Sequence, residues 1–279
     1  MTSETHIGLA GAASPPDAAA DWTIPQDWTR FTAVEHRVWD LLFARQQACL
    51  EGRAARQFFR GLDLLRLSKP GIPDFDELNE RLFARTGWAV VSVPGLIPDR
   101  VFFDHLSKRR FPAGNFIRAA TSLDYLEEPD VFHDVFGHVP ILADPAAADF
   151  IQQLGLLGLA ADAKGELERL ARLYWYTIEF GLTLEDGARR IYGAGILSSF
   201  GESVHALESA APRRRPFDIA RVMRTRYRTD SFQPLYFVID GFEALLKTVE
   251  QGLDPVYAAL RGTPDFDPGE DDLMRLGAD

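Results

Sequence analysis

Cysteine is nearly missing from this 279-residue chain: Cys49 stands alone, so no disulfide can form within it. Its context, Arg45-Gln46-Gln47-Ala48-Cys49-Leu50, reads as helix, with the thiol a small packing residue rather than a redox group. Basic charge is short as well. Thirty Lys and Arg face 41 Asp and Glu, for a formal net charge of −11. A phosphate-binding surface needs a basic stripe. The best candidate, Arg213-Arg214-Arg215 between Pro212 and Pro216, reads as a solvated loop. No apolar run reaches the roughly 18 residues of a membrane span. The N-terminus lacks the basic-then-apolar layout of a secretory signal. The expectation is a cytoplasmic protein whose partners are small molecules, with no nucleic acid and no membrane.

What is present suits a globular core: 46% of residues are apolar and 25% charged, enough to fold without covalent staples. Residues 1–24 are rich in Ala, Ser, Pro, Gly and Thr and read as a flexible leader. Residues 263–279 read as an acidic, loosely held tail. Between them no repeat and no long linker divides the chain, so residues 25–262 are expected to form one domain. Helical spacing marks two helices between Ala33 and Leu67, broken near Gly52, and a third from Pro73-Asp74-Phe75 to Gly87. Further helices are expected from Asp99 and over residues 129–138, 145–159, 165–181, 217–226 and 241–250. Trp88-Ala89-Val90-Val91-Ser92-Val93 and Gln233-Pro234-Leu235-Tyr236-Phe237-Val238-Ile239 have strand composition, and Asn115-Phe116-Ile117-Arg118 reads as a short extended piece. The fold class is mainly α (α+β), with little sheet.

The most informative stretch is Pro129-Asp130-Val131-Phe132-His133-Asp134-Val135-Phe136-Gly137-His138-Val139-Pro140. It sets two histidines five residues apart. On an ideal α-helix that spacing separates them by roughly 140°. A left-handed Gly137 and a helix-stopping Pro140 would let His138 swing back from an unwound helix end. Pro129 suits the first turn, and Glu127, Glu128 and Asp130 suit the positive end of the dipole. Glu179 follows 41 residues after His138 among Tyr174, Trp175, Tyr176 and Phe180. A carboxylate buried there without a partner would cost several kcal/mol, which a metal or an arginine would remove. Two histidines and one carboxylate match the facial ligand set of non-haem iron(II), which leaves positions open for oxygen and substrate. The absence of sulfur ligands argues against structural zinc, while spacing alone leaves iron and catalytic zinc both open. His6, His36, His105 and His205 read as surface or capping residues.

These residues resemble the pterin-dependent aromatic amino acid hydroxylases, most closely the short bacterial enzymes acting on phenylalanine. The block from Pro129 to Pro140 is joined by Thr86-Gly87-Trp88, Val93-Pro94-Gly95-Leu96-Ile97, Phe116-Ile117-Arg118, the segment from Leu173 to Leu182, Tyr192-Gly193-Ala194-Gly195-Ile196-Leu197-Ser198-Ser199-Phe200-Gly201-Glu202 and Phe232-Gln233-Pro234-Leu235-Tyr236, in the family's order over about residues 70–250. The resemblance implies that His133, His138 and Glu179 bind iron(II). It implies that a tetrahydropterin lies against Val93, Gly95, Leu96, Ile97 and Phe102, with Asp134, Ala171 and Tyr174 nearby. Arg118 would hold the substrate carboxylate, and Pro129, Trp175, Phe180, Gly195 and Ser198 would form the amino-acid pocket. Glycine at 95 lets backbone approach a flat heterocycle, and Ser198 or Ser199 could fix the tautomer of a ligand histidine. The implied reaction is hydroxylation of phenylalanine to tyrosine with dioxygen. A tryptophan or tyrosine hydroxylase of the same family is the nearest alternative, and a zinc hydrolase with Asp134 as base a more distant one. Animal members carry Thr-Pro where this chain has Leu126-Glu127, and many members carry glutamate where it has Asp134. Regulatory and tetramerisation segments have no counterpart, so a monomer is expected.

Overall fold

The computed structural model of the protein describes residues 14–124 and 128–269. Leu126, Glu127, His6, residues 1–13 of the leader and residues 270–279 of the tail lie outside this range. The architecture is a helical α+β domain. In chain order it runs α1 (Ala33–Leu50), α2 (Arg56–Leu65), α3 (Phe75–Thr86), β1 (Ala89–Val93), α4 (Asp99–Ser107), β2 (Arg110–Gly114), a π-helix π1 (Phe132–His138), α5 (Val139–Leu142), α6 (Pro145–Asp162), α7 (Leu167–Tyr174) and a second π-helix π2 (Trp175–Glu179). There follow β3 (Gly181–Glu185), β4 (Ala188–Ile191), α8 (Ala194–Leu197), α9 (Phe200–Glu208), β5 (Arg213–Pro216), α10 (Ile219–Arg224), β6 (Leu235–Ile239), α11 (Phe242–Val249) and α12 (Asp254–Leu260).

Local chemistry explains the helix ends. Thr32 and Glu35 close a capping box on α1, with Glu35 Oε2 accepting the Thr32 amide at 2.7 Å. Asp74 caps α3, and Gly87 ends it in the left-handed region at φ 74°. Asp144 accepts the amides of Ala146 and Ala147 at the head of α6, and Pro145 takes the first turn. Helix α6 carries the centre of the core. A Cβ on Gly155 would lie 2.2 Å from the Ser107 amide, and one on Gly158 would lie 2.3 Å from the Phe103 ring. Those two glycines let α4 lie directly on α6.

Two small sheets frame the site. β1 and β2 pair in parallel, and the second sheet runs β4-β3-β6-β5, antiparallel only between β3 and β4. The β3–β4 turn is Asp186-Gly187, both at positive φ, the two-residue hairpin turn that an Asp-Gly dipeptide signals. Among the described residues, four of the six strands were not expected. The extended piece falls one element early, at β2 rather than at residues 115–118. Arg213-Arg214-Arg215 is not a solvated loop but strand β5. Its Arg214 guanidinium donates to the carbonyls of Ala206, Pro212, His205 and Ser209. His105 is not a surface residue: it is fully buried, with Nε2 2.8 Å from the Asp21 carbonyl oxygen. The part of the leader that is described also packs, with Trp22 only 6% exposed. Among the described residues, no helix is long and apolar enough to cross a membrane.

Candidate active site

Both segments that carry the histidines and Glu179 are π-helices. In a π-helix the backbone bonds run from i to i+5, so residues five apart sit one above the other. That register, not an unwound end, brings His133 and His138 onto one face, their ring centroids 5.2 Å apart. The expected break is corrected here. Gly137 is not among the glycines at positive φ; its hydrogen matters because a Cβ would lie 2.9 Å from the Ala194 carbonyl oxygen. The chain stays helical through Pro140. Val139 N–H still pairs with the Val135 carbonyl, and Pro140 falls in the first turn of α5, where a missing N–H is tolerated.

Glu179, at the end of π2, projects between the two imidazoles. Its Oε1 lies 3.1 Å from His138 Nε2 and its Oε2 3.6 Å from His133 Nε2. The Ser198 hydroxyl donates to the Ala194 carbonyl at 2.8 Å, so it accepts from His133 Nδ1 at 2.8 Å. The proton of His133 is thereby held on Nδ1, and the Nε2 lone pair faces Glu179. Burial pushes the His133 imidazole down to about 4 against the pull of Glu179, so it is neutral, the form that ligates metals. Burial resists ionisation of Glu179, yet His138 and His133 outweigh it and hold the carboxyl below its ordinary value. Ser199 does a different job, capping α9 by accepting the Glu202 amide.

A second carboxyl stands close by. Donor atoms of His133, Asp134 and His138 lie within 4.8 Å of one another. Asp134 differs from Glu179 in two respects: its Oδ2 is occupied by the Gly114 amide at 2.8 Å, and burial pushes its carboxyl up to about 7. An ionised carboxylate with a free edge is the better cation ligand, which favours Glu179. The neutral His133 imidazole, the His138 imidazole and one ionised carboxylate, with the Glu179 oxygens 3.6 and 3.1 Å from the two ring nitrogens, fit a divalent transition metal with open positions.

Of the expected pterin residues, Tyr174 and Phe102 connect to this centre through ring contacts. His138 sits against Phe111 (centroids 4.7 Å) and Tyr174 (6.5 Å), and Tyr174 meets Phe102 edge-on at 5.3 Å. Ala171 is buried one turn before Tyr174 on α7. Val93 ends β1, and Gly95, Leu96 and Ile97 follow in the loop to α4. Trp175 lies tilted against Phe180 with ring centroids 4.7 Å apart and stacks on Tyr227 at 4.3 Å. A Cβ on Gly195 would reach the Phe180 ring at 2.8 Å, so α8 closes down on that aromatic wall.

Arg118 is not a free fork. Its Nε and one terminal nitrogen embrace Asp130 at 2.8 and 2.9 Å, and its other terminal nitrogen donates to the Leu123 carbonyl at 3.2 Å. Asp130 is fully buried. Burial opposes its ionisation, but Arg118 and the amides of His133 and Arg118 prevail and hold its carboxyl below the usual range. One carboxylate therefore anchors both Arg118 and the head of π1, accepting the His133 amide at 3.0 Å. Sequence reasoning saw Asp130 only as a dipole partner. It gave Glu128 the same part, whereas its Oε1 accepts the Leu96 amide at 2.7 Å. Gln233, which accepts from the Trp175 indole at 3.2 Å, lay inside a quoted motif without a role.

Known proteins resemble this chain in sequence and in fold. Residues 20–254 match the model of the biopterin-dependent aromatic amino acid hydroxylases. The chain is 54% identical over 256 residues to the phenylalanine-4-hydroxylase of Caulobacter vibrioides, covering 92% of this chain and 87% of that one. Among solved structures, Chromobacterium violaceum phenylalanine hydroxylase with bound oxidised Fe(III) superposes with a TM-score of 0.88 at 48% identity, over 94% of both chains. The iron- and phenylalanine-bound form of that enzyme superposes with a TM-score of 0.87 at 47% identity, again over 94% of both. With its paired π-helices, its His-His-Glu convergence and these relatives, the chain belongs to the biopterin-dependent aromatic amino acid hydroxylases.

Proposed function

We propose that this protein hydroxylates L-phenylalanine to L-tyrosine with dioxygen, using iron(II) and a tetrahydropterin. The observation that carries the reading is the approach of His133 Nε2, His138 Nε2 and both Glu179 oxygens within 3.1–3.6 Å, with the His133 tautomer locked by Ser198. His133, His138 and Glu179 would hold the iron. Bound iron(II) and a reduced pterin would supply the redox chemistry and the two electrons that dioxygen activation needs.

Every other contribution comes from side chains that bind, orient and exclude water. Val93, Gly95, Leu96, Ile97 and Phe102 border the pterin, with Asp134, Ala171 and Tyr174 beside it. Arg118, clamped by Asp130, offers its remaining N–H groups to the amino-acid carboxylate. Pro129, Trp175 and Phe180 wall the aromatic ring, Gly195 leaves them room, and Ser198 keeps the Nδ1 proton on His133. The protein works as a cytoplasmic monomer; the lone Cys49 suits a reducing compartment, and light scattering of the purified chain tests the monomer.

The deciding experiment supplies purified protein with iron(II), reduced pterin, dioxygen and phenylalanine, with tryptophan and tyrosine in parallel. Tyrosine formed only when oxygen and pterin are both present supports the reading. Preferential turnover of tryptophan or tyrosine moves the protein to a sister activity. Activity with zinc and no pterin overturns it in favour of a hydrolase.

A further inference from the structure

We propose that residues 19–26 form a strap that shapes the cofactor-side loop, with Trp22 as the positioning residue. This rests on the reading that residues 93–97 border the pterin. Trp22 sits at φ 67°, a left-handed conformation that a bulky residue rarely adopts. Such an outlier persists only where its surroundings over-determine it. Here they do so through a closed turn, with the Trp22 amide donating to Ala19 at 2.8 Å and the Ala19 amide donating to Thr23 at 2.9 Å.

The turn aims the indole inward. Trp22, Val93 and Ile97 make a buried cluster separate from the main core, and Val101 and Phe102 pack against it. Val93 and Ile97 bracket Pro94-Gly95-Leu96, so both ends of that loop belong to the same buried cluster as this indole. Three neighbouring elements hold the strap. The Ile24 amide donates to the Ser92 carbonyl on β1 at 2.9 Å. The Asp21 carbonyl meets His105 Nε2 on α4 at 2.8 Å, and the Asp21 carboxylate meets Arg110 on β2 at 2.7 Å. Asn115 donates to the carbonyls of Pro25 and Gln26. Glu128 also holds the loop, its Oε1 accepting the Leu96 amide at 2.7 Å. The loop is thus held both by the indole cluster and by Glu128, and Phe102 links the strap to the centre through Tyr174, 5.3 Å away.

The metal-bearing π-helices lie on other segments of the chain, so loss of the indole should loosen the pterin side alone. The test compares the full-length protein with Trp22→Ala, Trp22→Phe and Asp21→Asn. Dihydropterin, which binds without supplying the two electrons for turnover, is titrated calorimetrically into the iron-loaded proteins. Hydrogen exchange is followed over residues 92–99. Trp22→Ala is expected to weaken dihydropterin about tenfold, a change of roughly 1.4 kcal/mol, and to speed exchange in the loop. Iron content and the phenylalanine KM should stay within about twofold. Trp22→Phe should recover most of the affinity, because an aromatic ring still fills the cluster. If Trp22→Ala fails to fold, Asp21→Asn, which loosens the strap while keeping the indole, must show the same selective loss. Wild-type affinity and exchange in the folded variants overturn the strap. Loss of iron and pterin together overturns it as well, since the role would then be general stability. A wild-type protein that makes no tyrosine sinks the underlying reading instead, so the two failures are distinguishable.

Discussion

Ser198 accepts the Nδ1 proton of His133 at 2.8 Å while giving its own to the Ala194 carbonyl, also at 2.8 Å. One hydroxyl thus decides which imidazole nitrogen faces Glu179. Ser198→Ala leaves that proton unpaired and the ring free to turn. Iron affinity should fall about 10- to 100-fold, the usual cost of losing a partner behind a ligand. Competitive chelator titration measures it, and an unchanged affinity removes Ser198 from the site.

Replacing His133, His138 or Glu179 by alanine should reduce bound iron to near zero and abolish turnover. Asp134→Ala should retain iron, because its carboxyl is pushed up to about 7 and tied to the Gly114 amide. Elemental analysis after gel filtration separates the two carboxyls. Iron retained in Glu179→Ala but lost in Asp134→Ala would exchange their roles.

Asp130 serves Arg118 and the first turn of π1 together. Asp130→Asn should raise the KM for phenylalanine and cost on the order of 3–5 kcal/mol in stability, as breaking one half of a buried ion pair does. Its carboxyl lies below the ordinary range in the folded protein, so this stability is present at neutral pH and lost as pH falls through the carboxylate range. Urea denaturation and substrate kinetics read the two effects. Arg118→Ala with an unaltered KM would remove the arginine from substrate binding.

The strap should loosen in mild acid. Burial holds His105 below its ordinary value, so the folded form stays neutral. Unfolded or detached strap frees the ring to take a proton below about pH 6.5. The stabilisation is therefore complete above that pH and declines as pH falls. Arg110 opposes protonation of His105, while Asp21 and Asp104 favour it. Asp21 is itself held below its usual range, chiefly by the Thr23 hydroxyl and Arg110 against burial, and adds a second loss at still lower pH. Hydrogen exchange at residues 17–25, followed from about pH 7 to about pH 5, should accelerate across the histidine range. His105→Gln should flatten that response, and a wild-type profile already flat would refute it.

Much of the site could be read without coordinates. Histidine spacing and the placement of Glu179 among aromatics mark the metal-binding chemistry, because those residue types carry it wherever they are folded, while the roles of the Gly95 and Ser198 segments came from the family resemblance. Helices α1, α3 and α6 were legible because capping residues and apolar period are written within a few positions of each other. Asp186-Gly187 carried an equally local hairpin signal that the reading passed over. Strands β2 and β5 lacked such cues. Their partners, β1 and β6, lie about 20 residues away in the chain, and short windows do not record pairing at that range.

The amino-acid order by itself determined which groups are available: two imidazoles, one carboxylate and a glycine-bearing loop, in a chain whose local periodicity is mainly helical. Tertiary structure alone decided how they meet. The five-residue histidine spacing works only because π1 adopts an i+5 register, and that register is held by Asp130 at one end and the close approach of Ala194 to Gly137 at the other. The partner of Arg118 and the burial of Trp22 were likewise settled by long-range contacts. A backbone hydrogen-bond register and a buried charge pair are chosen by whatever packs around them, and residues distant in the chain supply that packing.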